Sequence, residues 1–360
     1  MTIGKALKFL GPVIIVGFFA CVIMSFAGYI VPTPLLVGTA LAAVSFFTLH
    51  TFKSGSAPYV IKRIGQSFLV LLVIASLTFF LLRILPGGPF DSEKALPEHI
   101  KANIEAKYNL NAPLYEQYFN YIGGLFQGDL GQSYKYIGRT VTEIISETLP
   151  VSFQLGVYAL VLAFTIGILM GVLAAAKHNT MADRSIMMFA IVAISNPSFL
   201  IAAILITIFG FGLDLLPVAL WDGPAYYIMP VLVLGFRPVA IIARLTRASV
   251  LDVIQSDFIR TAKAKGLDHK VVLFKHVLKN SLIPVLTFAG PLVAATLSGS
   301  FIAEHIFNIP GMGKHFIQSV SNRDYPLVMG LTLVFSTLLV FANLLVDLLY
   351  TYFDPRIKLG

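Results

Sequence analysis

The tightest limit on this chain is a series of long apolar runs that hold almost no charge. They cover residues 9–31, 35–49, 66–85, 151–176, 185–213, 226–243, 281–303 and 327–346. Several are long enough to cross a bilayer, which takes about 20 apolar residues in a helix. Within lipid every backbone N–H and C=O must find a partner, and a helix supplies one inside a single segment. The runs therefore predict an all-α, polytopic membrane protein. Composition agrees, since 57% of residues are hydrophobic and 12% are charged, against about 25% charged in soluble domains.

Charge gives the runs a direction. The net charge is +8, and the cations gather at 53–63, 177–184, 244–279 and 356–358. If the runs alternate in direction, all four clusters fall on one side. That side is the cytoplasm by the positive-inside rule, and the C-terminus lies there too. Membrane orientation thus accounts for the basic balance, and no nucleic-acid partner is expected. Lys94, Lys101, Lys107, Lys135 and Arg139 fall on the other side. They belong to a long external segment, where the rule has little force.

Little in the sequence carries chemistry of its own. Cys21 is the only cysteine, so no intrachain disulfide or cysteine-rich metal site is expected. Gly311-Met312-Gly313-Lys314 is not a phosphate loop, because Asn308 and His315 stand where Gly and Ser or Thr are needed. Glu304-His305 has no second histidine at zinc spacing. The chain is read as no enzyme, with no cofactor and no metal. An ion-coupled transporter would place acidic residues near mid-membrane, and the runs hold almost none. A pump built on this chain would draw its energy from another protein.

Residues 1–57 are read as an extension with two membrane helices joined at Pro32 and Pro34. A rival reading is a cleaved signal peptide ending near Ser25-Phe26-Ala27. Residues 58–150 hold the first core helix and the polar external segment, and 151–360 hold the remaining spans. Gly167 and Gly171 form a Gly-x-x-x-Gly pair that lets two helices approach closely. Asn196-Pro197 sits mid-run and predicts a kink. Arg237 lies inside a span, where a charge is costly. It faces a water-filled cavity or pairs with a carboxylate. Asn196, Pro197 and Arg237 are therefore the candidates for a translocation path.

Residues 257–284 are the one long basic amphipathic stretch between apolar runs. Asp257 to Lys265 predicts a short helix. Gly266 can take the left-handed conformation that ends it. Asp268 can cap a second helix running to about Ser281, before Pro284. From the pattern alone this hairpin is equally a positively charged cytoplasmic loop.

The residues Arg260-Thr261-Ala262-Lys263-Ala264-Lys265-Gly266-Leu267, then His276 and Asn280-Ser281-Leu282-Ile283-Pro284, resemble the "EAA" coupling motif of ABC importer permeases. The resemblance is to its peptide-permease version. It extends over roughly 60–360, through Tyr108 to Leu114, Gln117-Tyr118, Gly128 to Tyr134, Leu245 to Leu251, Arg323-Asp324-Tyr325-Pro326 and the tail. It implies a type I ABC importer permease fold, with about six core transmembrane helices plus the two extra N-terminal ones. The implied function is ATP-driven import of oligopeptides or dipeptides across the bacterial inner membrane. The alternative is a permease for nickel chelates or another non-peptide solute. Implied partners are a second homologous permease subunit, two cytoplasmic ABC ATPase subunits, an external solute-binding protein, the peptide and membrane lipid. Residues 260–268, from Arg260 to Asp268, would form the ATPase-coupling site. Gly266 would set the hairpin angle, and Ala262 and Ala264 would allow close approach to the ATPase. Lys263, Lys265 and Lys270 would meet acidic groups there, solvent or anionic lipid.

Overall fold

The computed structural model describes residues 57–85, 89–90, 110–268, 271–297 and 301–353. The two N-terminal spans, the first half of the external segment, Lys270 and the tail from Asp354 lie outside the described residues. What is described is helical, apart from turns and one isolated bridge between Gln132 and Thr140. Five helices are long and apolar enough to span a membrane, or six if one sharply bent pair counts as a single span.

The first is α1 (Ala57–Ile84), followed by α2 (Leu114–Phe126). Next come α3 (Val141–Ala176), α4 (Met181–Ser195) and α5 (Ser198–Leu205), which runs on into a π-helical stretch, Ile206–Gly212. α6 (Pro224–Ile254) leads to α7 (Asp257–Ala264). A second π-helical stretch, Val272–Leu278, continues into α8 (Lys279–Ser281). The chain ends in α9 (Ile283–Leu297), α10 (Phe301–Ile306), α11 (Met312–Ser321) and α12 (Tyr325–Phe353).

The centre of the fold is the pair α3 and α6. Their contact is made possible by the predicted glycine pair. A Cβ on Gly167 would stand 2.9 Å from the Ile242 side chain, and one on Gly171 would stand 2.5 Å from Thr246 Cβ. Further out along α6, a Cβ on Gly235 would stand 2.9 Å from Leu162. Small residues matter here because lipid is as apolar as the side chains, so close van der Waals contact has to hold the helices together. Leu155 and Tyr158 of α3 and Met229, Val231 and Val233 of α6 form one buried cluster with Ala202, Phe307 and Ile309. Ala163, Val239 and Ile242 form another with Val285 of α9.

Three elements differ from expectation. The run 185–213 is broken outright and turns by 110° between α4 and the segment after it. Asn196 and Pro197 are both extended, with ψ of 136° and 144°. A proline disfavours helical geometry in the residue before it, and two extended residues in a row reverse the chain where one would only kink it. α6 is longer than the run 226–243 suggested and carries Leu245 to Leu251 in the same helix. The second arm of the hairpin is largely π-helical, and Pro284 sits in the first turn of α9 where it was expected as a stop.

α3 starts on a capping box. Thr140 Oγ1 accepts the Glu143 N–H at 3.2 Å, and Glu143 Oε2 accepts the Thr140 N–H at 3.0 Å. Gln117 ties the turn before α2 to α1. Its Nε2 donates to the carbonyls of Leu110 and Ala112, and its Oε1 accepts from Arg83 Nε at 3.2 Å.

Candidate functional site

Two places in this fold gather the residues singled out by the sequence. One is the tip of the basic hairpin. α7 ends in a Schellman motif, in which Gly266 N–H donates to Lys263 O at 3.0 Å and Leu267 N–H to Ala262 O at 3.4 Å. This requires φ of +74° at Gly266, a conformation that costs a residue with a Cβ. The Asp268 carbonyl accepts the Val272 N–H at 3.0 Å, so the helical turn of the second arm closes back on it. Ile259 and Ala262 are buried against Ala175 of α3, Val250 of α6 and Val272 and Val277 of the second arm. The hairpin is therefore packed on the two central helices.

Arg260, Thr261, Lys263, Ala264, Lys265, Gly266, Leu267 and Asp268 are all exposed. Ala262 is not. It is 7% exposed and turned into the chain's own core, where its small size serves internal packing. Arg260 lies 3.7 Å from Asp257, with both side chains well exposed, and such a pair contributes little. Phe258, Leu267 and Val271 are exposed apolar residues beside the basic tip.

Beneath the hairpin an ion pair joins α4 to α6. Arg247 Nε donates to Asp183 Oδ1 at 2.6 Å and Arg247 Nη2 to Asp183 Oδ2 at 2.8 Å. This two-pronged geometry is the strongest form of the pair. His178 Nδ1 lies 3.1 Å from the same Nη2. Asp183 also closes the turn between α3 and α4, where its Oδ2 accepts the Asn179 N–H at 3.0 Å.

The second place is a cavity of about 500 Å³, within the range of about 300–1,000 Å³ usual for ligand sites. Asn196, Pro197 and Arg237 all line it. The broken run brings the first two to its wall, and the middle of α6 brings Arg237. Phe288 and Pro291 of α9 line it as well, and Ser198 and Thr296 add polar side chains. Asn196 Nδ2 donates to Val192 O at 2.7 Å, which covers the end of α4.

Residues 57–156 and 167–359 match two family profiles, described as the N-terminal part of a binding-protein-dependent transport system membrane component and the binding-protein-dependent transport system inner membrane component. The chain belongs to this permease family. It is 45% identical over 303 residues to the dipeptide transport system permease protein of Bacillus subtilis (strain 168), covering 84% of this chain and 98% of that one. It is 42% identical over 302 residues to the oligopeptide transport system permease protein of Haemophilus influenzae, covering 83% and 99%. The counterpart from Salmonella typhimurium is 41% identical over 302 residues, with the same coverage.

Among the described residues, two carboxylates besides Asp183 are buried, and the sequence did not reveal their burial. Glu304 is fully buried. Its Oε1 accepts from Ser152 Oγ at 2.9 Å and its Oε2 from the Gly313 N–H at 2.7 Å, while Ser152 Oγ accepts the Met312 N–H at 2.8 Å. Gly311 and Gly313 are glycines because a Cβ on either would press on that carboxylate. The motif that resembles a phosphate loop is thus a seat for an internal acid. Asp324 is likewise fully buried. It accepts from Ser133 Oγ and from the Tyr134 N–H at 3.1 Å, pinning the loop before α3 to the start of α12. For Glu304 the available signal was an acid at the end of an apolar run with Gly311 and Gly313 soon after, whereas Asp324 offered only its place just before the last run.

Proposed function

We propose that this permease is a membrane subunit of an ATP-driven importer of dipeptides or oligopeptides. The observation that carries the reading is the 45% identity to a dipeptide permease across 98% of that protein's length. In this reading the chain pairs with a second, related permease subunit. Two ATP-hydrolysing subunits bind on the cytoplasmic side, and a solute-binding protein delivers peptide outside. The C-terminus is cytoplasmic. Residues 1–57 form an extension, 58–150 the first core helix and external segment, and 151–360 the transport core.

The hairpin tip is the docking element for an ATPase subunit. Its support is the exposed basic turn with Phe258, Leu267 and Val271 beside it, on a base buried against α3 and α6. A push on this tip is carried directly to the two central helices. Such a switch works only if each ligand binds the inward- and outward-facing states differently. The test is reconstitution of the full transporter in liposomes. Peptide with binding protein should raise ATP hydrolysis and accumulate inside. Hydrolysis that rises with no movement of peptide would refute the substrate, and absence of any ATPase binding would refute the hairpin assignment.

A further inference from the structure

We propose that Arg237 holds the C-terminal carboxylate of the peptide in transit. The inference rests on the peptide reading above. Arg237 lies near the middle of the membrane-spanning α6 and is exposed at the wall of the cavity. Among the described residues it has no ion-pair or hydrogen-bond partner. Two other arginines on the spanning helices are served. Arg247 is held by Asp183, and Arg83 packs on the Phe79 ring at 3.4 Å and bonds Gln117.

A charge at membrane depth is costly, and such residues pair or face a water-filled path. Among the described residues, the cavity wall contains no acidic side chain. The countercharge is therefore free to arrive with the ligand. A guanidinium is a planar fork of N–H donors that matches a carboxylate with two parallel bonds. Every linear peptide ends in one carboxylate, whatever its sequence. A single cation in a wall of mainly apolar side chains thus gives one fixed handle and tolerates varied side chains. It also repels the N-terminal ammonium, so the peptide would lie with its carboxylate at Arg237.

The experiment compares labelled trialanine with trialanine amide in proteoliposomes holding the complete transporter and one binding protein. Wild type, Arg237→Gln and Arg237→Lys are measured side by side. The Gln variant should raise KM for trialanine by about tenfold or more, as expected for loss of a charge-assisted pair. Its KM for the amide should change little. The Lys variant, a point charge without the fork, should fall between. The acid-to-amide ratio does not depend on the amount of folded protein, so poor folding cannot mimic this result. Equal loss for both peptides, or no change in the ratio, overturns the proposal and leaves the peptide reading intact. A ratio that follows the anionic lipid content assigns Arg237 to a lipid headgroup and also overturns it. If wild type moves neither peptide, the peptide reading fails and the proposal with it.

Discussion

Replacing Gly266 tests whether the shape of the hairpin tip matters apart from its charge. A Cβ at this position would meet nothing within 4 Å. The cost of substitution is therefore conformational, set by φ of +74°. For an ordinary L-residue the left-handed region costs about 1–2 kcal/mol. Gly266→Ala should sit near the lower figure and the β-branched Gly266→Val near the upper. Asparagine tolerates this region, so Gly266→Asn should cost least. The Schellman turn is held by two hydrogen bonds, each with a net contribution of about 1 kcal/mol. A penalty of about 2 kcal/mol shifts the balance between native and altered turns by about thirtyfold. The change is local, so the melting temperature of the whole permease should hold. Peptide-stimulated ATP hydrolysis and uptake should fall in the order Gly, Asn, Ala, Val. Full coupling in the Val variant, or an Asn variant as impaired as Val, would refute the reasoning.

Gly171→Ala should destabilise the permease by about 1–3 kcal/mol through overpacking against Thr246 and the Ala243 carbonyl. The control Gly123→Ala, with nothing near its Cβ, should be neutral or stabilising, and thermal unfolding reads both. Asp183→Asn should cost about 2 kcal/mol by weakening the grip on Arg247, and an unchanged melting temperature would contradict it. Burial holds the His315 imidazole below its ordinary value, with Lys314 and Arg139 adding to the effect and Glu147 opposing it. The unfolded chain then binds the extra proton first. This stability is complete above the unfolded value of about 6.5 and is lost as pH falls from there through the lowered native value. Hydrogen-exchange protection in α11, corrected for the intrinsic exchange rate at each pH, should fall in mild acid, and His315→Phe should remove that dependence.

Much of this architecture could be read from the residues. Of the six apolar runs after residue 57, five match observed spans and the sixth is the bent pair, because lipid demands length and internal hydrogen bonding. Gly266 was legible because a helix that ends in this way needs a left-handed residue. Gly167 and Gly171 were legible as a spacing, although the sequence could not name Thr246 and Ile242 as what they press on. Asn196, Pro197 and Arg237 were picked out singly for what each does to a membrane helix, and the fold brings them to one cavity. Other features depended on tertiary contacts. Whether Pro197 kinks or reverses the chain depends on what surrounds it. Ala262 was assigned a contact by the resemblance alone, and helical spacing sets it on the inner face with Ile259. Glu304 was weighed only with His305 as a zinc motif, because its partners, Ser152 and Gly313, lie far along the chain or across a turn. The Thr140–Glu143 capping box was in plain view, within a segment read only as polar and external.

The central claim is that the tip at 260–268 meets an ATP-hydrolysing subunit. It is tested most directly by placing a photo-crosslinker at Lys265 in the assembled transporter within intact membranes. The account predicts an adduct with the ATPase subunit whose yield changes on ATP binding, and none from a probe at exposed Ile137 on the external segment. An adduct only with lipid, or one with the external binding protein, would contradict it.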